Sequence, residues 1–419
     1  MPITKKRNHF LYPGLSLGSL EGADVNKSET TLDAARIAIY IGVPYCRVQC
    51  FECPFFSSYL PGQSRRDAEF DAYFAAVRTH AAAVVQNLGL AGTNASLYIG
   101  GGTPTVVDPA YLHGVLSVLV QAGVSIGELT VEGNPENISE AYVEQVLNFG
   151  ATRISLGVQS LDDSVLAAVG SPHRSHHTGR AVAIVKESGL DLNVDLMYGV
   201  PNQTPEAIQA SMQWALERAA QGITWYAYTF QPEGIMTRRR PNRYVAAPRH
   251  VKPDEYYPKI REVMSHAGYY EGMIGAFHLP GHELQYSSIA YRQANRIVGL
   301  GAKAYTYDGA GLYQAPSEPI RYVDEIQHNA YPFADRYSGA LSRSQICVRE
   351  TILGLMYGEI ARRTLDFWGV VPAGAGLNKL LAEWRRMGAI SADGDGFKLT
   401  EFGAIVLDDM LTSLWRVPQ

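Results

Sequence analysis

The chain has 419 residues, of which 46% are hydrophobic and 18% are charged, and its formal net charge is −5. This length accommodates one large α/β domain and a smaller one, and the composition is typical of a soluble globular protein. The slight negative charge argues against nucleic acid as the main partner. No apolar run has the length of a membrane span, and four cysteines indicate a reducing compartment rather than a disulfide framework. We therefore expect a cytoplasmic protein that binds neither nucleic acid nor membrane.

The first half of the chain alternates short apolar strands with helical patterns, which is typical of βα units around a parallel sheet. Helices are predicted at 67–86, which is rich in alanine, and at 204–220, which opens with a threonine cap. Six such units predict an α/β fold with an incomplete (β/α)6 barrel, whose functional site would lie at the carboxyl ends of the strands. The predicted strands are 36–43, 96–102, 129–134, 153–159, 192–200 and 224–230.

Polar and glycine-rich residues gather at these predicted strand ends. Three cysteines follow the first strand, and "GGGTP" (100–104) follows the second. The next three strands carry, in order, Glu132, Gln159 and Asp195. This coincidence favours an active site over a set of unrelated polar residues.

The βα pattern ends near residue 235, where a proline-rich connection begins. We expect four parts: an N-terminal segment at 1–35, the barrel at 36–235, a substrate-covering α+β extension at 236–340 and a helical domain at 341–419. In the last part, a helix, a "DGDG" turn, a short strand and a final helix predict a winged-helix-like module. This module has no basic recognition face, so we interpret it as a lid or packing domain.

Cys46, Cys50 and Cys53 fall within eight residues in "YIGVPYCRVQCFECPFFSSY". A structural zinc site needs four ligands, and no second CxxC or nearby histidine pair is present. A thioredoxin-like pair at Cys50 and Cys53 leaves Cys46 unexplained, and three unrelated buried cysteines are rare in so cysteine-poor a chain. The spacing best fits a [4Fe–4S] cluster that is held at three irons, with the fourth iron open to a small molecule.

CxxxCxxC after the first strand of a partial barrel is the signature of the radical S-adenosylmethionine (SAM) enzymes. From about residue 36 to 310 the chain resembles their coproporphyrinogen III oxidase-like branch. This branch includes the oxygen-independent oxidase, the heme chaperone-like proteins and the class C radical SAM methyltransferases. The resemblance is carried, in order, by "LYIGGGTPT", "TVEGNPENIS", "RISLGVQSLDD", "NVDLMYGVPNQT", "FHLPGHEL" and "GLGAKAY".

The resemblance implies that the open iron binds the amino and carboxylate groups of SAM. Reduction of the cluster would then give methionine and a 5′-deoxyadenosyl radical. The three cysteines would be both the metal ligands and the catalytic centre. Glycines would let the backbone approach the SAM amino group, and a carboxylate would bind the same ammonium. The residues implied for this first SAM are Tyr40, Gly101, Gly102, Thr103 and Glu132.

Members of this branch can hold a second SAM, and the resemblance implies that this chain can do so too. The matching positions here are Gln159, Arg174, Asp195, Thr229 and Tyr305. An aspartate in an otherwise apolar parallel strand costs free energy unless it is paired, which favours a ligand role for Asp195.

The chain departs from the branch at two positions near these sites. The aromatic residue expected just before the third cysteine is Glu52, with Phe51 one place earlier. The arginine expected after "VQSLDDSVLAAVG" is Ser171, and Arg174 lies three residues further on. The assignment of the second SAM site therefore depends on Arg174 replacing the missing arginine.

For several other residues a structural role is favoured over a functional one. His173 matches a family position, but histidines in a loop are more often solvated than catalytic. The run Arg238–Arg240 is interpreted as a solvated charge run, with a clamp for substrate carboxylates as the alternative. Cys347 lies on an apolar helix face and is predicted to be in the core. The tyrosines of 256–308 either line a pocket for a flat aromatic substrate or pack under a lid.

Four outcomes of SAM cleavage are compared. We favour C1 transfer, in which the methyl of a second SAM loses a hydrogen and its carbon adds to an sp2 carbon of a small aromatic or natural-product substrate. Methylation, a methylene bridge or a cyclopropane would result. The alternatives are oxidative decarboxylation of porphyrinogen propionates, heme ring opening by methyl transfer, and non-catalytic heme binding.

Two sequence differences bear on these alternatives. The oxidase has a further cysteine after its triad where this chain has "CPFFSSY", and the chaperone-like proteins have a His-Asn pair after "PGHE" that this chain lacks. The first difference weakens decarboxylation, and the second counts against non-catalytic heme binding. Heme ring opening shares the chemistry of C1 transfer, and "CPFFSSY" leaves it open. A reductant such as flavodoxin or ferredoxin would be the protein partner.

Overall fold

The computed structural model describes residues 35–51, 53, 58–228, 251–293, 295–329, 339–414 and 417. Its strands are β1 (Arg36–Val43), β2 (Tyr45–Cys46), β3 (Ser58–Tyr59), β4 (Asn94–Gly101), β5 (Ser125–Gly133), β6 (Arg153–Gln159), β7 (Asp191–Tyr198), β8 (Gly222–Ala227), β9 (Tyr270–Glu271), β10 (Ala276–His278), β11 (Ile297–Leu300), β12 (Tyr305–Tyr307), β13 (Gly311–Gln314), β14 (Gly339–Ala340), β15 (Glu359–Ile360), β16 (Ile390–Asp393) and β17 (Gly396–Leu399).

The helices of the described residues are α1 (Gln63–Leu88), α2 (Pro109–Gln121), α3 (Glu140–Asn148), α4 (Asp163–Ala168), α5 (Ser175–Glu187), α6 (Pro205–Glu217), α7 (Pro253–His266), α8 (Gln285–Ser287), α9 (Pro319–His328), α10 (Arg343–Met356), α11 (Arg362–Trp368), α12 (Gly374–Arg386), α13 (Glu401–Ile405) and α14 (Leu407–Leu414). None of these helices combines the length and the hydropathy needed to cross a bilayer.

Seven neighbouring strands of the large sheet run parallel, in the order β11-β1-β4-β5-β6-β7-β8. Six of them are the six predicted strands, joined by α1 to α6, so the predicted partial (β/α)6 barrel is confirmed. β5 begins at Ser125, earlier than predicted, because its first residues are polar or exposed and the apolar run starts only at Leu129. The seventh parallel strand, β11, was not predicted.

The two faces of the parallel sheet have different chemistry. On β1, Ile37, Ile39 and Ile41 are fully buried in the core beneath the helices, whereas the alternate residue Tyr40 faces the barrel interior with Tyr98 of β4. Strand side chains alternate between faces, so this division holds along each strand. The helix-facing side therefore stabilises the fold, and the interior side is free to carry polar groups.

A loop after β10 closes the amino end of the barrel. The backbone N–H groups of Gln285 and Tyr286 donate to the Glu128 carboxylate at 3.2 and 3.1 Å. Arg153, which is 4% exposed, pairs with Asp191 at 3.3 Å and donates to the carbonyl of His282 at 2.9 Å. These contacts close the barrel at one end, so the strand carboxyl ends are where a ligand reaches the interior.

The C-terminal part has a hydrophobic core of its own, which includes Trp368, Leu377 and Trp384. Helix α12, the hairpin of β16 and β17, and α13 follow in the order predicted for the winged-helix-like module. Cys347 of α10 is 0% exposed in this core, as predicted. The domain boundaries drawn from the sequence stay a prediction.

Candidate active site

The predicted site residues on β4 to β7 converge because neighbouring parallel strands are in register. Glu132 lies level with Ser155, and Asp195 lies level with Gly157 and with Thr224. Side chains level with each other on the same face of a parallel sheet are neighbours. The barrel interior therefore holds both predicted carboxylates near the strand carboxyl ends.

The turn after β4 approaches the chain after β1 too closely for any residue but glycine. The N–H of Gly102 donates to the carbonyl of Val43 at 2.7 Å, and the N–H of Thr103 donates to that of Tyr45 at 2.9 Å. A Cβ at Gly102 would lie 2.6 Å from the Tyr45 oxygen. The predicted glycine loop thus places Thr103 directly beside β2, which ends at Cys46.

The three clustered cysteines share one loop. Cys46 is 7% exposed, and burial raises the pKa of its thiol, whereas Cys50 and Cys53 are half-buried. Phe51 anchors the loop: its N–H donates to the carbonyl of Val169 at 2.9 Å, and its ring packs on Gly170.

The donor set on this loop fits an iron–sulfur cluster better than a single metal ion. Among the described residues, no three His, Cys, Asp or Glu side chains converge on one ion. A [4Fe–4S] cube does not need such convergence, because each thiolate binds a different iron. Three thiols on one anchored loop, with no fourth ligand beside them in the part of the loop that the structure describes, are what a cube with an open iron requires.

The packing of the Phe51 ring on Gly170 predicts what a larger residue at position 170 would do. In Gly170→Ala the new Cβ would lie 2.7 Å from the Phe51 ring, so the ring and the cysteine loop would have to move. We expect less iron and sulfide per chain after reconstitution. Gly189→Ala is the matched control, since Gly189 has φ +77 against +70 at Gly170 but nothing within 4 Å of its Cβ position. Equal cluster contents in both variants would contradict this role of Phe51.

Glu132 is the carboxylate nearest the glycine loop. It accepts hydrogen bonds from the Tyr98 hydroxyl at 2.8 Å and from the Gly101 N–H at 3.2 Å. Loss of solvation nevertheless raises its pKa, since the two hydrogen bonds offset burial only in part. A cation placed here would restore the ionised form.

Asp195 lies two strands away from Glu132 in the sheet, with β6 between them. Its carboxylate accepts from Asn193 Nδ2 at 3.0 Å and from Ser155 Oγ at 3.3 Å. Burial, followed by the negative charge of Glu132, raises the pKa of Asp195 to about 7. Both carboxylates keep part of their surface accessible because they face the open interior, and neither has an ion-pair partner among the described residues.

The raised pKa of Asp195 predicts a pH-dependent loss of stability. An unfolded aspartate has a pKa of about 3.9, so between about pH 4 and about pH 7 the folded protein binds an extra proton. The contribution to the free energy of unfolding is complete below this range and is lost as pH rises through it. Urea unfolding should therefore show wild type losing stability, relative to Asp195→Asn, between about pH 4 and about pH 7. A pH-independent difference would contradict the raised pKa.

Tyrosines form the wall of the interior next to the carboxylates. The rings of Tyr40 and Tyr98 are stacked, with centroids 6.2 Å apart and planes at 12°. Tyr286 packs against both, at 6.5 and 5.3 Å. Tyr305, on β12, is a half-buried neighbour of the same cluster. Tyr40 and Tyr305 thus belong to one aromatic cluster, and the Tyr98 hydroxyl joins this cluster to Glu132.

Gln159 has a strained backbone at the end of β6. Its φ is +63, a left-handed conformation that costs free energy in a residue other than glycine. The pairing of β6 with β7 shifts register at this point, and a Cβ on Gly157 would lie 3.0 Å from Gln159 Nε2. Its side chain thus turns back over Gly157, level with Asp195.

Arg174 and His173 are occupied by their own loop. Arg174 Nη1 donates to the carbonyls of Ser171 at 3.0 Å and His173 at 2.7 Å. His173 is fully buried between the Ser171 hydroxyl and the Val158 carbonyl, so the expectation of a solvated histidine was wrong. Within the described part of the chain, Arg174 makes no hydrogen bond or ion pair with Asp195, and its role at a second SAM stays a prediction.

Two predicted features lie outside the described residues: Thr229, expected at the second SAM, and the run Arg238–Arg240.

Sequence reasoning also missed Lys303, in "GLGAKAY". This lysine has φ +65. Burial lowers its pKa, and the negative charge of the Cys53 thiolate acts in the opposite direction. The left-handed backbone was not foreseeable, because the motif gave no reason to expect it at a lysine.

Comparison with known proteins agrees with this site. Residues 40–215, which include all three cysteines, match the family model of the radical SAM superfamily. Proteins of this superfamily use a [4Fe–4S] cluster and SAM, the two cofactors predicted from the sequence.

The chain is similar to two groups of named bacterial proteins. It is 26% identical over 272 residues to the heme chaperone HemW of Lactococcus lactis, covering 64% of this chain and 69% of that protein. It is 28% identical over 340 residues to the oxygen-independent coproporphyrinogen III oxidase of Paracoccus denitrificans, covering 75% and 73%. In fold it matches the solved coproporphyrinogen III oxidase (HemN) of Escherichia coli, with a TM-score of 0.74, 20% identity, and 94% and 95% of the two chains covered.

Proposed function

We infer that this chain is a radical SAM enzyme of the coproporphyrinogen oxidase-like branch, which cleaves SAM and removes a hydrogen atom from a small molecule in the barrel. The observation that carries the proposal is the carboxylate pair of Glu132 and Asp195. Both face the interior, both have raised pKa values, and neither has a described ion-pair partner.

SAM has the charge that this interior lacks. Its ammonium and sulfonium groups are cations, and a cation next to a desolvated carboxylate favours the ionised carboxylate and a strong charge-assisted hydrogen bond. Glu132 is preorganised for this role, since Tyr98 and the Gly101 N–H fix its two oxygens. The residues of the glycine loop approach the same point from β4.

When bound, the cluster supplies an electron that converts SAM to methionine and the 5′-deoxyadenosyl radical. In our proposal Cys46, Cys50 and Cys53 hold three of its irons. The anchored loop keeps the thiols beside the glycine turn, and the tyrosine wall excludes water and offers flat surfaces to a substrate.

The named relatives favour one reaction outcome. They are a heme chaperone and coproporphyrinogen oxidases. Hydrogen abstraction from a tetrapyrrole or its reduced precursor, without transfer of a C1 unit, is therefore the first candidate. The stacked tyrosines Tyr40 and Tyr98 are compatible with such a flat ligand.

C1 transfer is the second candidate, because of Asp195. Glu132 has the contacts expected for the SAM at the cluster, which leaves Asp195 available to a further cation, and a second SAM would supply it. A second SAM is compatible with the hypothesis drawn from the sequence, but other members of the branch can also hold two, and the relatives favour the first candidate.

The products distinguish these outcomes. The protein would be reconstituted anaerobically with iron and sulfide, then given SAM and dithionite, with and without coproporphyrinogen III, and the nucleosides quantified by mass spectrometry. Deoxyadenosine alone, increased by coproporphyrinogen III, is expected for the first candidate. Deoxyadenosine together with S-adenosylhomocysteine is expected for C1 transfer. Neither product, with the cluster intact, would contradict catalysis and favour a heme-binding role.

A further inference from the structure

We propose that the hydroxyl of Thr103 donates a hydrogen bond to the cluster ligand Cys46 and thereby makes the cluster easier to reduce. The Oγ1 of Thr103 lies 3.5 Å from Cys46 Sγ, within the range of a hydrogen bond to sulfur. The inference rests on the proposed function, because it takes Cys46 as a cluster ligand. It gives Thr103 a role toward the cluster in addition to the predicted one toward SAM.

The hydroxyl is available because the local turn does not use it. Thr103 precedes a short helical turn, Pro104–Val106, at a position where threonine usually accepts a hydrogen bond from a following N–H. Here the side chain caps no N–H group, and its contact is with the sulfur instead. The residue thus departs from its ordinary structural role in favour of the cysteine.

The backbone fixes this contact from both sides. Thr103 is held by its N–H to the Tyr45 carbonyl at 2.9 Å, immediately before Cys46. Cys46 is held in turn by its carbonyl, which accepts from the Leu60 N–H at 2.9 Å. Since Cys46 is 7% exposed, water has little access to compete for the sulfur. The backbone segments that carry the hydroxyl and the sulfur are therefore held next to each other by the fold.

Such a bond affects the two redox states unequally. Reduction adds negative charge to the cluster and its thiolates, and a donor interacts more strongly with the more negative acceptor. Low solvent access strengthens the effect. The reduced state gains more stabilisation, so the midpoint potential rises. This opposes the negative charge of Glu132, which acts on the same thiol.

Thr103→Val tests the role of the hydroxyl, because valine keeps the shape and removes the donor. Wild type and variant would be reconstituted without SAM, checked for iron and sulfide content, and titrated with EPR detection of the reduced cluster. We expect the variant to have a more negative midpoint potential, with the reduced-to-oxidised ratio lower by about two- to tenfold, where tenfold is about 59 mV for a one-electron couple.

Thr103→Ser is the matched control, since it retains the hydroxyl, and it should keep the wild-type potential. Thr103→Ala is a second variant without the donor and should share the shift of Thr103→Val. Equal potentials in wild type and in a donor-free variant that carries the cluster would overturn the proposal. A shift of the same size in Thr103→Ser would do so as well. Absence of a [4Fe–4S] cluster from the wild type would instead contradict the proposed function, and the two failures are thus distinguishable.

Discussion

Replacement of Cys46, Cys50 or Cys53 by alanine is expected to abolish both the cluster and the cleavage of SAM. Each thiolate would hold a different iron, and no other cysteine of the described residues lies on the same loop to replace it. Iron and sulfide analysis, the absorption of the reconstituted cluster and deoxyadenosine formation would all fall to background in each variant.

Cys347→Ala is the control for this series. Cys347 is fully buried in the core of the C-terminal part, away from the cysteine loop in the fold, so its loss should change packing and not cluster content. A retained cluster in any of the three loop variants would contradict the ligand assignment. Loss of the cluster in Cys347→Ala would show that its absence reflects general misfolding.

Glu132→Gln is expected to weaken SAM binding by about tenfold to about a hundredfold, because a hydrogen bond to a charged group contributes about 1.5–3 kcal/mol. The amide keeps the size of the side chain and removes its charge.

Asp195→Asn should have a different effect if Asp195 serves a second SAM. Formation of S-adenosylhomocysteine should then fall further than formation of deoxyadenosine, and equal losses of both would contradict that role.

Glu128→Gln provides the positional control for Glu132. Glu128 lies on the same strand, but its carboxylate accepts from Gln285 and Tyr286 at the closed end of the barrel. We expect SAM affinity to stay at the wild-type value, measured by equilibrium binding to the reconstituted protein. A loss of affinity equal to that of Glu132→Gln would mean that binding responds to any lost interior charge.

The parallel sheet could be predicted because each strand has a local signal. "RIAIYIGV" and "RISLGVQ" are short apolar runs between helical patterns, and the structure places strands at both. β11 lacked such a context, since only four residues form it and its partner β1 lies some 260 positions earlier in the chain. Long-range pairing of so short a strand leaves no periodic pattern in the sequence.

The parts of the site that lie at strand ends could be predicted from the sequence. Glu132, Asp195 and the glycine loop were expected at adjacent strand ends, and the sheet register brings them together. The contacts of Thr103 with Cys46 and of Phe51 with Gly170 join segments far apart in the chain. Such contacts depend on how loops pack on each other, which residue types alone do not determine. Arg174 is the opposite case. Its position in the sequence suggested a ligand contact, but its side chain donates to carbonyls of its own loop.

The most direct test of the account is the EPR spectrum of the reduced, reconstituted protein, recorded with and without SAM. If three cysteines hold the cluster and the fourth iron is open, SAM will bind that iron and change the spectrum of the [4Fe–4S] signal. The change should be absent in the cysteine variants, which lack the cluster, and weaker at a given SAM concentration in Glu132→Gln. A wild-type spectrum of an intact cluster that stays the same at saturating SAM would contradict the account.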